Sequence, residues 1–139
     1  MLFIPNEKTV FWDVDDTLVL WNLGKKGDPG VIEVAVPVTR SQRTLTELGY
    51  EIEELVSEQG EWLEYLVPHK KHIEQMRIHK SRGHFNVVWS AGGAAWAMAA
   101  VEALGIHGVV DIVMAKPAWA YDDKQPEHFM PRSQWMKDE

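Results

Sequence analysis

The chain has 139 residues, 45% hydrophobic and 25% charged, with a formal net charge of −7 and no cysteine. That length and mix suit one domain, residues 1–139, burying about two-thirds of the surface its unfolded form exposes. The acidic balance excludes a general binder of nucleic-acid backbone, which needs a surplus of Lys and Arg. The lack of cysteine excludes disulfides, thiolate metal sites and thiol catalysis. No run approaches the roughly 20 apolar residues of a membrane span. Met1 to Lys8 lacks the basic-then-apolar pattern of a signal peptide. A cytoplasmic location without membrane contact is the expectation.

In chain order, Thr9-Val10-Phe11-Trp12 is an apolar, β-rich run meeting Asp13-Val14-Asp15-Asp16-Thr17. It reads as a buried strand ending in a polar loop. Gly27-Asp28-Pro29-Gly30 signals a turn and Val31 to Val36 a strand, so residues 18–37 read as a hairpin-like flap. From Ser41, the residues Leu45, Leu48, Ile52, Leu55 and Val56 fall at helical spacing, a pattern that Pro68 ends or restarts. Residues 47–64 hold seven Glu and no Lys or Arg. His69 to His84 is basic and amphipathic, with Gly83 as a stop.

Asn86-Val87-Val88-Trp89 reads as a second buried strand, and Ala94 to Leu104 as a helix stopped by Gly105. Asp111 to Met114 reads as a third strand, leading to Lys116-Pro117. The tail, with Phe129, Met130, Trp135 and Met136, is expected to pack back on the domain. Alternating strands and helices predict an α/β fold with a parallel sheet.

Ligand sites in such folds lie at the carboxyl ends of the strands. Asp13/Asp15, Ser90, Lys116 and Asp122/Asp123 all follow apolar, strand-like runs or come soon after one. A carboxylate can attack phosphorus and form an acyl phosphate, while a second exchanges protons with the leaving oxygen and water. Alternatively the acidic loop merely caps a turn. Oxygen-only donors suit Mg²⁺. Ser90-Ala91-Gly92-Gly93 opens a helix and offers an anion a hydroxyl and free amides, although Ser is also a common N-cap. Lys116 is a point cation for phosphate or a surface lysine. Asp122-Asp123 is a metal pair or a solvated turn. His69 and His72, one helical turn apart, read as part of a solvated basic face. The seven Trp read mostly as core and tail packing, with Trp21 and Trp119 close enough to the acidic motifs to stack on a substrate ring.

Asp13-Val14-Asp15-Asp16-Thr17, Ser90, Lys116 and Asp122-Asp123 together resemble the four motifs of the haloacid dehalogenase (HAD) superfamily of phosphohydrolases, over roughly residues 8–124. The run Val88 to Gly93, then Lys116-Pro117 and Asp122-Asp123, is similar to small members from bacteria and phages. The resemblance implies a three-layer Rossmann-like fold with a parallel sheet, a small flap and a minimal cap inserted within about residues 18–67. It implies a phosphatase working through an aspartyl-phosphate, with Asp13 as nucleophile and Asp15 as general acid/base. Ser90, Ala91, Gly92 and Lys116 would hold phosphate, and Asp13, Asp15 and Asp123, supported by Asp122, would hold Mg²⁺. The second aspartate separates this pattern from the superfamily's dehalogenases, which lack it. Only five residues separate Lys116 from Asp122, so any fourth strand must be very short.

Little chain remains for a large lid. The open site then takes a large substrate, such as a nucleic-acid end or a phosphoprotein, or is closed by a second subunit in a homo-oligomer. The substrate read first is a nucleotide or polynucleotide end, and second a small metabolite such as a sugar phosphate, which needs that closure. A non-catalytic phosphate-binding module on the same fold is the reading from another class.

Overall fold

The computed structural model describes residues 8–37 and 61–125. The helix expected from Ser41 to Gly60 and the apolar tail lie outside the described residues. Strand β1 (Thr9–Asp13) is followed by three flap strands, β2 (Val19–Leu20), β3 (Ile32–Pro37) and β4 (Glu61–Pro68). Helix α1 (Lys70–Ser81), β5 (Phe85–Ser90), α2 (Ala94–Leu104), a 3₁₀ turn (His107–Val109) and β6 (Ile112–Ala115) complete the order.

The parallel sheet has the order β1-β5-β6. Asp13 lies level with Trp89, and Ser90 with Ala115. The register therefore brings the ends of all three strands to one edge, about 4.8 Å apart from strand to strand. Each step of the order moves the same way, and right-handed crossovers then put α1 and α2 on one face. Burial agrees with this. Trp12, Asn86 and Val88, which point to that face, are buried. On the other face the outer-strand residues Phe11 and Ile112 are 39% and 44% exposed, while Val87 on the central strand between them is buried. The described residues thus form an α/β unit with helices on one face; the second helical layer of a three-layer fold is not present among them.

Within β5 the buried Asn86 is satisfied on every side. Its Oδ1 accepts from Trp12 Nε1 (2.9 Å), and its Nδ2 donates to the carbonyls of Met76 (3.0 Å) and Val109 (2.9 Å). Its backbone N–H donates to Asp111 (2.8 Å), which also pairs with Lys80. One amide thus ties β1, α1, β5 and the 3₁₀ turn together. Helix α2 ends where expected, with Gly105 in the left-handed conformation at φ 66°.

The flap differs from expectation. Residues 61–68 form a strand, β4, instead of continuing a helix, and β2 and β3 pair with it antiparallel rather than with each other. Leu63, Tyr65, Leu66 and Val67 suit a pleated strand, and pairing with β3 from Ile32↔Leu66 to Pro37↔Glu61 overrides the helical spacing upstream. Gly24 permits the tight approach beside this sheet, because a Cβ there would collide with Val31 Cγ2 and Val67 Cγ2. Val34, Val36 and Leu66 share one core with Trp12, Val88 and Trp96, and α2 packs on β3 as well as on β5 and β6. The flap is therefore seated on the α/β unit. No helix among the described residues is long and apolar enough to cross a membrane.

Candidate active site

The loop after β1 winds around Val14, which is wholly buried. Its carbonyl accepts from the amides of Thr17 (3.2 Å), Leu18 (3.0 Å) and Val19 (3.2 Å). Asp16 turns the chain at φ 57°, a left-handed conformation that Asp tolerates better than most residues. Its amide donates to the Val19 carbonyl (2.7 Å), and its Oδ1 accepts from Trp21 N (3.1 Å). This tight turn fixes the two carboxylates on either side of Val14.

Those carboxylates meet different surroundings. Asp13 Oδ1 pairs with Lys116 Nζ at 3.1 Å, and both side chains are about one-third exposed, at 33% and 36%. Asp15 faces neutral donors. Its Oδ1 accepts from Trp21 Nε1 (2.9 Å), and its Oδ2 accepts from Trp96 Nε1 (3.2 Å) and, at a longer 3.4 Å, from Ser90 Oγ. Ser90 is wholly buried, and its Oγ also accepts from the Gly92 amide (3.0 Å). The Lys116 amide donates to the Ser90 carbonyl (2.9 Å), which locks the ends of β5 and β6 together. Gly93, at φ 103°, leads into α2 with no side-chain cap, so the first-turn amides present the positive end of the helix beside Ser90, Ala91 and Gly92.

The N-terminus of α1 buttresses the same loop. The His69 amide donates to the Leu18 carbonyl (2.9 Å), and His72 Nδ1 lies 2.6 Å from the Thr17 carbonyl. That carbonyl can only accept, so Nδ1 carries the proton. His69 Nδ1 accepts from the His72 amide (3.3 Å), and the two rings stack 3.4 Å apart. Both histidines are buried, which corrects their reading as part of a solvated face. Their Nδ1 atoms cap a helix and hold a loop, a tertiary role that a basic sequence window conceals.

The acidic pair Asp122-Asp123 is exposed in the segment after β6, where no strand forms, and Asp122 Oδ1 accepts from the Lys124 amide in its own turn (2.8 Å). Among the described residues no three of His, Asp and Glu gather as a metal-binding group. The structure therefore brings together Asp13, Asp15, Ser90 and Lys116, with Ala91 and Gly92 on the adjoining turn, but does not gather Asp123 with Asp13 into a metal site. Trp119 and Tyr121 are 81% and 97% exposed, so Trp119 is not core packing.

Sequence reasoning missed the attachment of Trp21 and Trp96 to Asp15. A signal existed, since a buried indole N–H needs an acceptor and both residues lie within six positions of a motif residue. The chain matches no protein-family model, no curated protein and no solved structure.

Proposed function

We propose that this chain is a phosphohydrolase of the HAD type that cleaves phosphate monoesters through an acyl phosphate on Asp13. The observation that carries the reading is the meeting of Asp13, Asp15, Ser90 and Lys116 at the carboxyl ends of three parallel strands. Asp13 attacks phosphorus as the ester P–O bond breaks, and Asp15, protonated, gives its proton to the departing oxygen to release an alcohol. Asp15, now a carboxylate, takes a proton from water. The water oxygen attacks phosphorus, the Asp13–phosphorus link breaks, and inorganic phosphate leaves with both aspartates restored. Lys116, the Ser90 hydroxyl and the α2 amides offset phosphoryl charge, which dominates catalysis of this transfer.

Hard oxygen donors and an accessible Asp13 suit Mg²⁺, which usually binds through one or two carboxylates plus substrate phosphate and water. The Asp13 carboxylate and the Asp15 carbonyl would hold it, and the ion would neutralise charge on the phosphoryl oxygens. For the substrate we favour a nucleotide or polynucleotide end. Trp119 and Tyr121 are exposed three and five residues beyond Lys116, where rings can stack on a base.

Turnover of an aryl phosphate with Mg²⁺, then of nucleotides, oligonucleotide ends and sugar phosphates, tests both levels. Asp13→Asn should abolish turnover, and Asp15→Asn should lower it about 10²–10⁴-fold. Near-native activity in Asp13→Asn would refute the assignment. Equal turnover of sugar phosphates would move the substrate to small metabolites, and a wild-type protein that binds phosphate without turnover would be a binding module.

A further inference from the structure

Asp15 is the meeting point of two elements that are otherwise separate in sequence. Trp21 leaves the flap strand β2, and Trp96 belongs to α2 of the α/β unit. Their indole N–H groups reach opposite oxygens of the one carboxylate, at 2.9 Å and 3.2 Å, with ring centroids 6.0 Å apart. Trp96 is wholly buried and Trp21 partly so. An indole N–H only donates. Two of them on opposite oxygens fix the plane of the carboxylate as well as its position, which a single contact would not do. A proton donor must lie within hydrogen-bond reach of the leaving oxygen, and misplacement by about 1 Å costs on the order of 10²-fold in rate.

We propose that Trp21 and Trp96 are positioning residues that clamp Asp15 between flap and core, aiming it for proton transfer to the leaving group. The proposal rests on the phosphohydrolase reading above. It makes the seat of the flap part of the catalytic geometry: Asp15 is correctly aimed only when Trp21 lies against it.

The test uses Trp21→Phe, which keeps most of the ring but removes the N–H, with Trp96→Phe as a second variant checked by thermal melt. The quantity read is kcat/KM for two substrates, 4-nitrophenyl phosphate, whose leaving group departs without protonation, and an alkyl phosphate, whose leaving group must be protonated. This parameter covers only the steps up to departure of the alcohol, so the later role of Asp15 toward water does not enter. Trp21→Phe should lose about tenfold on the alkyl phosphate, about the worth of one hydrogen bond, and several-fold less on the aryl one. In an Asp15→Asn background the same substitution should change neither substrate further, because the group it aims is gone. Equal losses on both substrates, or a loss that persists in Asp15→Asn, would overturn the proposal and leave the indoles as packing alone. A wild-type protein that turns over neither substrate would instead overturn the phosphohydrolase reading, and the clamp with it.

Discussion

Asn86 shows how one buried polar side chain holds the base of the site. Replacement by Ala leaves the Trp12 indole N–H and the carbonyls of Met76 and Val109 without their partner in the core. A buried group left unsatisfied costs about 1–3 kcal/mol. Asn86→Ala should therefore lose about 3 kcal/mol in urea unfolding, as a lower midpoint at unchanged slope. A loss under about 1 kcal/mol would show that these groups find other partners. The importance of Asn86 is hard to see in sequence, where it stands between Phe85 and Val87 as a lone polar residue in an apolar strand. Asp13, Asp15, Ser90 and Lys116 are legible because their chemistry, order and position after apolar runs coincide. Trp21, Trp96 and His72 are not, because their partners lie across the fold and share no local pattern.

At the scale of elements, β1, β5, α2 and β6 were readable, since each is a short run of matching periodicity with a clear stop. Strand β4 was not, because its conformation is decided by pairing with β3, whose residues lie some 30 positions upstream. Helix α1 adds a pH-dependent contact. His79 Nδ1 lies 2.8 Å from His84 Nδ1, so one ring must lend a lone pair to the other. Burial, then the neighbouring charges of His84, Arg82 and Lys8, hold the His79 pKa below its ordinary 6.5. The folded state therefore binds this proton less readily than the unfolded state. Its contribution to stability is complete above about pH 6.5 and is lost as pH falls from there through the lowered folded value. His79→Gln should flatten the fall in melting temperature below pH 6.5, relative to the unaltered protein. An unchanged acid limb would place the acid sensitivity elsewhere.

For the whole molecule, the seated flap and the partly exposed Asp13–Lys116 pair define a site open to solvent. The proposed ion would sit at the surface of that site and contribute little to folding. Chelation should stop turnover while leaving the melting temperature within about 2 °C, less than the shift that 1 kcal/mol produces in a domain of this size. Mg²⁺ or Mn²⁺ should restore activity, and Ca²⁺ should inhibit, because its looser coordination shell would misplace Asp13. A large fall in melting temperature on chelation would assign the metal a structural role, and full activity in excess chelator would exclude a metal from the reaction. The proposed chemistry passes through a carbon–oxygen–phosphorus link on Asp13, which can be trapped. Asp15→Asn should slow breakdown of that link, so acid quench of this variant during turnover of a phosphate monoester should preserve it. Peptide mapping by mass spectrometry should then find one phosphate on the peptide containing Asp13, and none when Asp13→Asn is added. Steady turnover with no phosphate on that peptide, or phosphate on a different residue, would contradict the account.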